Sequence, residues 1–210
     1  MKKILVIFAA ALLSAFHFPL STFHSLQAQE RFDASIMAGL NMAQIDGDDA
    51  GRYNHPGLRA GVATSFALGE GDALRGIVEL AYSQKGSYIS EYNRRLSADY
   101  VEVALMLGYD MLDSRLRVAA GVAPGVLVRA NVTNSGSFDQ SSTDNFCKVD
   151  WLPLTIAAHY RFTDHLYVEA RYQNSMLSAT KENATGTYRI FRSNTGAFHR
   201  LVTFGLGWQF

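Results

Sequence analysis

Apolar and polar residues alternate along most of the chain, and the alternation is clearest in residues 199–210. One face of this segment carries apolar side chains, namely Val202, Phe204, Leu206, Trp208 and Phe210. The other face carries small or polar residues, namely Thr203, Gly205, Gly207 and Gln209. A period of two predicts a β-strand, and about 9–11 residues suffice for a tilted strand to cross a bilayer. The segment therefore predicts a membrane-spanning strand.

Seven earlier segments repeat this pattern. The eight predicted strands are residues 32–41, 57–68, 73–85, 99–110, 115–129, 150–162, 166–174 and 199–210. Tight turns at residues 69–72, 111–114 and 163–165 alternate with long connections at residues 42–56, 86–98, 130–149 and 175–198. An even strand number, with short turns at one end and long loops at the other, is typical of bacterial outer-membrane barrels. We therefore predict an all-β fold, an eight-stranded antiparallel up-and-down transmembrane β-barrel over residues 29–210.

Pro124 interrupts the fifth predicted strand. Proline has no backbone N–H, so it cannot donate a hydrogen bond to a neighbouring strand. We expect a bulge or kink at this position.

The first 28 residues have the pattern of a cleaved signal peptide. Lys2 and Lys3 precede the apolar residues 4–16, and Ala28 is a plausible cleavage point. The alternative, a membrane-anchoring helix, is disfavoured because the apolar run is short and Pro19 interrupts its continuation. We therefore predict an exported chain whose barrel begins at residue 29.

Nine charged residues within the predicted strands lie opposite the apolar face. They are Arg59, Arg75, Glu79, Glu102, Arg117, Arg129, Arg161, Glu169 and Arg171. An arginine facing lipid would cost roughly 2–4 kcal/mol at the bilayer midplane, so this segregation favours a membrane barrel. A soluble lipocalin-like barrel would instead enclose its apolar face. We predict that the charges pair in an interior network, because an unpaired buried charge is costly. An eight-stranded barrel is narrow enough for side chains to fill, so we expect no wide pore.

Aromatic residues cluster at both ends of the predicted strands, as expected for the two girdles of a membrane barrel. Near the tight turns these are Phe32, Phe66, Tyr109, Phe162 and Phe210. Near the long connections they are Tyr82, Tyr100, Trp151 and Tyr172. These girdles favour lipid around the barrel.

Composition narrows the function classes. The chain has 19 basic and 19 acidic residues, and removing Lys2 and Lys3 with the signal peptide leaves a weakly acidic protein. This balance offers no electrostatic surface for nucleic acid. The single cysteine, Cys147, allows no internal disulfide.

Several stretches resemble one family, the outer-membrane β-barrel domain of Bacteroidetes that is often called PorT-like or porin family. Residues 78–86, VELAYSQKG, are similar to its P-E-L-x-Y-S-x-K-G motif. Residues 98–109, ADYVEVALMLGY, are similar to its L-x-Y-L-E-I-P-L-L-L-K-Y pattern, and residues 39–41 and 205–210 also fit. Val78 and Ala104 stand where the family commonly has proline.

The resemblance implies an outer-membrane address with both chain termini in the periplasm. It also implies that the barrel-assembly machinery reads Phe210 as part of an assembly signal, and that outer-membrane lipids surround a barrel we expect to be monomeric. PorT itself is associated with type IX secretion, and that role is not carried over to this chain.

No residue pattern marks a catalytic, cofactor or metal site, and we expect none. His55, His159, His165 and His199 lack the spacing of metal ligands. The acidic residues 46–49 lack the ligand pattern of a calcium loop and are interpreted as a solvated tip. An enzyme modifying lipid A remains an alternative, with His159 and Glu169, or His199 and a loop serine, as base and helper.

The long connections carry seven aromatic residues: Tyr53, Tyr88, Tyr92, Phe138, Phe146, Tyr188 and Phe191. They could form a binding surface for a protein or glycan partner, or pack over the barrel mouth. We therefore predict a structural or interaction role through four extracellular loops. A narrow-solute or secretion-associated barrel remains an alternative.

Overall fold

The computed structural model describes residues 32–46, 53–68, 73–139, 143–180 and 197–210. The predicted signal peptide, residues 1–28, lies outside the described residues, as do the predicted turn at 69–72 and residues 47–49 of the acidic tip. Within the described ranges, no helix is long and apolar enough to span a membrane.

The described chain forms eleven strands. They are β1 Phe32–Asp46, β2 His55–Ala67, β3 Leu74–Ile89, β4 Arg94–Met111, β5 Leu116–Val122, β6 Gly125–Asn134, β7 Ser137–Phe138, β8 Val149–Asp150, β9 Pro153–Arg161, β10 Leu166–Ser175 and β11 Phe198–Gln209. Strands β5 and β6 continue one another along β4, and β8 precedes β9 along the same stretch of wall. When β5 with β6, and β8 with β9, are each counted as one continuous strand, the barrel wall consists of eight strands, which we call staves. The two-residue strand β7 only extends the edge of β6.

The eight staves close into a barrel through antiparallel pairing. Neighbours run in the order β3, β2, β1, β11, β10, β9, β5 and β4, and β4 pairs with β3 to complete the ring. The first and last strands meet directly, with Gly39 opposite Gly205. Closure leaves no open sheet edge, which a bilayer requires. The predicted eight-stranded antiparallel barrel is confirmed.

Pro124 interrupts the fifth stave, as predicted. Strand β5 ends at Val122 and β6 begins at Gly125. Val122 pairs with Leu154, whereas Gly125 pairs with Asp150, so three steps along one stave match four along the next. The extra residue of this shift lies between β8 and β9, whereas the register against β4 is unchanged across Pro124. The strand is therefore interrupted at Pro124, and the irregularity in pairing is on the neighbouring strand.

The predicted long connection at residues 86–98 is wrong. Strands β3 and β4 pair without interruption from Leu74 and Tyr109 to Ile89 and Arg94. A short 3₁₀ turn, Ser90–Tyr92, connects them. The hairpin therefore extends well beyond the predicted membrane-spanning length.

Two faces distinguish the wall. Apolar side chains such as Ile36, Leu107 and Phe204 point outward and are about half exposed or more. Charged side chains such as Arg59 and Glu102 point inward and are buried. One predicted girdle residue, Tyr100, is misplaced: it shares the inward face with Glu102 and is fully buried.

Candidate functional site

Glu102 lies at the centre of a buried polar network inside the barrel. Its carboxylate accepts hydrogen bonds from Arg59 Nη1 and from Gln173 Nε2, at 2.7 and 2.8 Å. Lys85 Nζ lies 2.7 Å from the same carboxylate, and both side chains are inaccessible to solvent. Two cations and an amide thus stabilise one buried anion, which satisfies the requirement that buried charges be paired.

The network continues across the barrel to strand β10. Arg59 also pairs with Glu79 on β3. Arg171 on β10 contacts Glu79 at 2.6 Å and Glu169 at 2.9 Å. Strands β3 and β10 lie four staves apart in both directions around the ring. The contact between Arg171 and Glu79 therefore spans the lumen from one wall to the opposite wall.

Lys85 extends the network toward the long-connection end. Its ammonium lies 3.2 Å from Asp150, and the Ser175 hydroxyl donates to the same carboxylate. The ammonium also lies over the ring of Tyr100, 4.8 Å from the ring centroid. Lys85 thus joins the charged interior to the apolar residues above it.

A second cluster lies at the tight-turn end. Arg75 pairs with Asp33, and Ser65 donates to the same carboxylate at 3.1 Å. Arg117 forms a two-pronged contact with Asp110 and lies 3.8 Å from Asp33. Two arginines and two aspartates therefore line this end of the lumen.

Eight of the nine residues predicted for the interior network lie inside the barrel. Arg59, Glu79, Glu102, Glu169 and Arg171 form the central network. Arg75 and Arg117 belong to the cluster at the turn end. Arg161 lines a small cavity at the same end and forms no part of the central network.

Arg129 is the exception, and its predicted interior position is wrong. A register shift between Asp99 and Tyr100 inserts one extra residue, Val128, into β6. A bulge of this kind reverses the face of every residue beyond it. Arg129 consequently lies opposite Asp99 on the outer face and is exposed.

Four charged residues of the interior were absent from the prediction: Asp33, Lys85, Asp110 and Asp150. Lys85 follows Arg75, Glu79 and Ser83 at even spacing, so the period of two already placed it inside. The same period placed Asp33 and Asp110 inside. Asp150 carried no usable signal, because the register shift near Pro124 separates it from the alternation of β9.

The cavity at the turn end contains the histidine–carboxylate pair considered for catalysis. His159 Nε2 lies 2.7 Å from Glu169 Oε2. The cavity volume is ≈ 40 Å³, enough for a few water molecules and far below the volume of typical ligand pockets. Arg171 holds the same Glu169 carboxylate. The pair can therefore bind water, and it lacks room for a lipid substrate.

At the long-connection end of the barrel, which we call the mouth, the lumen beyond the charged interior contains an apolar core. Its buried members are Ile45, Leu96, Ala98, Tyr100, Val132 and Phe146. The Phe146 ring stacks on His199, which lies 3.4 Å from the Tyr100 hydroxyl. This core places His199 beyond the reach of solvent.

The loop aromatics fall into two groups. Phe146 packs over the mouth, whereas Phe138 and Tyr53 are exposed. Tyr188 and Phe191 lie outside the described residues. Phe146 therefore packs over the mouth as the second interpretation expects, and a binding surface at Phe138 and Tyr53 stays a prediction.

Potential metal ligands do not converge in the described part of the chain: no group of three or more His, Cys, Asp or Glu side chains is arranged to hold an ion. Phe210 lies at the outer surface of the turn end, 70% exposed. Its backbone N–H donates to the Ala34 carbonyl at 2.9 Å, which fixes the chain end against β1.

Comparison with known proteins agrees with this architecture. The family described as "Outer membrane protein beta-barrel domain" matches residues 27–180. The chain belongs to this family. Among curated proteins, none matches the sequence. The family and the fold together place the chain in the outer membrane.

Solved structures share the fold at low sequence identity. Ail, the attachment invasion locus protein of Yersinia pestis, is 13% identical with a TM-score of 0.52, over 86% of this chain and 99% of Ail. The structure of Ail in complex with the heparin analogue sucrose octasulfate is 12% identical in sequence with a TM-score of 0.50, over 86% of this chain and 99% of Ail. Neisserial surface protein A is 15% identical in sequence with a TM-score of 0.50, over 85% of this chain and 97% of that protein. At these identities the likeness concerns the fold alone.

Proposed function

We propose that this protein is a filled outer-membrane barrel with a structural or interaction role at its long-loop end, and that it forms no wide pore. The observation that carries the proposal is the 2.6 Å contact between Arg171 and Glu79, which joins opposite walls. An ion crossing the lumen would have to displace a buried charge pair. Separating such a pair leaves uncompensated charges and costs several kcal/mol.

Single-channel recording of the purified chain in a planar bilayer tests this proposal. We expect no large, stable conductance. The double variant Glu79→Ala/Arg171→Ala, which removes both members of the central pair, should increase the conductance. Arg115→Ala, at an exposed turn position, is the matched control and should behave as the parent. A large stable conductance of the unmodified protein would overturn the proposal.

The long-loop end is proposed to face the outside of the cell, with both chain termini in the periplasm. The short turns at the opposite end support this orientation, since outer-membrane barrels have short periplasmic turns. A cysteine introduced at exposed Asn93, in a Cys147→Ser background, should react with a membrane-impermeant reagent on intact cells. Labelling only after the outer membrane is broken would reverse the orientation.

A protein or glycan partner is proposed to bind the exposed loop residues. Phe138 and Tyr53 support this interpretation because both rings are exposed at the loop end, and exposed aromatics are enriched at interfaces. Among proteins of the same fold, Ail has been solved with a heparin analogue. Replacing Phe138 with Ser should reduce adhesion of expressing cells to host or matrix surfaces, whereas equal adhesion would remove this residue from the binding surface.

The narrower family placement is also a proposal. The motifs at residues 78–86 and 98–109 support a PorT-like barrel of Bacteroidetes. We further infer that the chain is monomeric and that the barrel-assembly machinery reads Phe210. Reduced outer-membrane levels of Phe210→Asp would support the last inference, and normal levels would refute it.

Catalysis is the second candidate function, and the observation in its favour is the 2.7 Å contact between His159 Nε2 and Glu169 Oε2. Two other observations weigh against it. We propose that this pair is structural, because Arg171 neutralises Glu169 and the adjoining cavity is small. The lipid A profile of a deletion strain should equal that of the parent strain. A changed profile, restored by the parent gene but not by His159→Asn, would establish an enzyme instead.

A further inference from the structure

The outer face of β4 and β6 carries a polar patch immediately beside the lipid-facing band. We call Arg95, Ser97, Asp99, Arg129 and Asn131 the outer polar patch. Asp99 lies opposite Arg129, and Ser97 lies opposite Asn131. All five belong to the outward-facing set of their strands, since the bulge at Val128 turned Arg129 outward. None of the five belongs to the buried interior network or to the exposed loop surface proposed above.

The patch borders the apolar surface without a gap. Val101 follows Asp99 on the same face of β4, and Tyr82 pairs with Val101 on β3. Tyr82, Val101 and Val128 are all exposed to the surroundings of the barrel. A lipid whose chains lie on these residues would therefore place its headgroup at Asp99 and Arg129.

Both arginines of the patch are available to a ligand. Arg95 and Arg129 are exposed, and neither forms a salt bridge with any residue that the structure describes. Arg95 lies over the Tyr88 ring, with its guanidinium carbon 5.9 Å from the ring centroid. By contrast Arg200, another arginine near the loop end, is paired with Asp46 at 3.1 Å.

The arrangement of charges and hydrogen-bonding groups matches a phosphorylated sugar. Arg95 and Arg129 stand about 13 Å apart along the strands, at about 3.3 Å per residue. Ser97, Asp99 and Asn131 lie between them. The Ser97 hydroxyl lies 3.5 Å from His55 Nε2 and keeps a lone pair for a further hydrogen bond, and the half-buried Asp99 supplies carboxylate oxygens. Guanidinium groups bind phosphate through paired hydrogen bonds, and carboxylate and amide oxygens accept from sugar hydroxyls. The Oδ1 atom of Asn131 is buried and is therefore not counted among these acceptors.

We propose that the outer polar patch binds the phosphorylated sugar headgroup of an outer-leaflet glycolipid. Arg95 and Arg129 contact phosphate, and Asp99 and Ser97 accept hydrogen bonds from sugar hydroxyls. The inference rests on the proposed orientation, because only an outward-facing loop end brings the patch to the outer leaflet. A barrel without such a site would contact the same lipids through its apolar band alone.

Binding of lipid A to the full chain in phosphatidylethanolamine nanodiscs tests the proposal. The probes are phosphorylated lipid A and the same lipid A after dephosphorylation, with affinity measured by native mass spectrometry. A basic residue near an anionic membrane surface contributes about fivefold in affinity. We therefore expect Arg95→Gln/Arg129→Gln to weaken binding of the phosphorylated probe about 25-fold. The dephosphorylated probe should bind weakly to every variant.

Two controls separate recognition from folding. Arg200→Gln removes an arginine already paired with Asp46 and should leave the affinity unchanged. Arg129→Lys keeps the charge and should retain most of the binding. Equal affinity of the double variant and the parent, or equal binding of both probes, would overturn the proposal.

The cell-surface labelling at residue 93 distinguishes this inference from the proposed orientation. Labelled intact cells with an unchanged affinity of the double variant would refute the patch alone. Failure to label intact cells would refute the orientation, and with it the access of the patch to the outer leaflet.

Discussion

The outer faces of the membrane-level part of the barrel and of its loop-side end have opposite polarity, and strand β4 contains both. From Val101 to Tyr109 the outward residues are apolar, while the inward residues are mixed: Glu102 is charged, and Ala104 and Met106 belong to a small buried apolar cluster. From Arg95 to Asp99 the outward residues are polar, while the apolar Leu96 points inward. The reversal occurs within one uninterrupted strand.

The difference shows that the surroundings, and not the strand itself, decide which face is apolar. Lipid solvates apolar side chains, so within the bilayer the outer face is apolar and the enclosed polar groups pair with each other. Water favours the reverse arrangement, so beyond the bilayer the strands enclose an ordinary hydrophobic core. Lys85 lies at the junction, between Glu102 on one side and the Tyr100 ring on the other.

The largest effect is expected from neutralising the centre of the membrane-level interior. Glu102→Gln would remove the carboxylate that Arg59 and Lys85 share, so each buried cation would lose one of its two carboxylate partners and keep only Glu79 or Asp150, respectively. Loss of one partner in a buried pair costs about 3–5 kcal/mol. The free energy of unfolding, measured by urea titration in lipid vesicles, should fall by that amount. Asp113→Asn, in an exposed turn, makes the same chemical change and should have little effect. Equal stability of both variants would show that the network is dispensable.

The second prediction compares the loss of unfolding free energy caused by an arginine at two outward positions on β4. Leu105→Arg places a charge on the lipid-facing surface, where it should cost roughly 2–4 kcal/mol. Ser97→Arg places the same charge on the loop-side surface; it loses the 3.5 Å contact between Ser97 Oγ and His55 Nε2 and should cost only about 1 kcal/mol, the usual contribution of one hydrogen bond. Unfolding in vesicles measures both. Similar losses at the two positions would mean that no boundary lies between them.

The smallest effect concerns the apolar core of the mouth. Ile45 is buried in that core, and Ile45→Val should cost about 0.5–1.5 kcal/mol. The outward Val62, which is 52% exposed, offers the control Val62→Ile, which adds the same methylene where lipid can accommodate it. Hydrogen exchange at the loop end should increase in the first variant only. Unchanged exchange in Ile45→Val would argue against a packed core.

Much of the fold could be predicted from the sequence because the period of two is strong wherever one face meets lipid. The same alternation also indicates an inward position for Lys85, which follows Arg75 and Glu79 on the inward face of β3. It failed at Arg129, because a single inserted residue reverses the faces and leaves no mark on composition. The sequence pattern predicts a loop at residues 86–98 because the apolar side chains of this stretch occupy the face that is polar elsewhere.

The contacts across the lumen were beyond the reach of sequence patterns. Alternation places Glu79 and Arg171 inside, and it does not say which of the inward charges meet. That choice depends on the closure order and register of the staves. The interior was therefore predictable as a set of residues, while its pairing required the three-dimensional structure.

A scan of spin labels along the outward positions of β4 tests the central claim most directly. Labels would replace residues 95, 97, 99, 101, 103, 105, 107 and 109 one at a time, in a Cys147→Ser background. Their accessibility to oxygen and to a water-soluble nickel complex would then be measured in lipid vesicles. The account predicts water exposure at residues 95–99 and lipid exposure from 101 to 107, with the change between Asp99 and Val101. A uniform environment along all eight positions, or a change near the middle of the lipid-facing set, would contradict it.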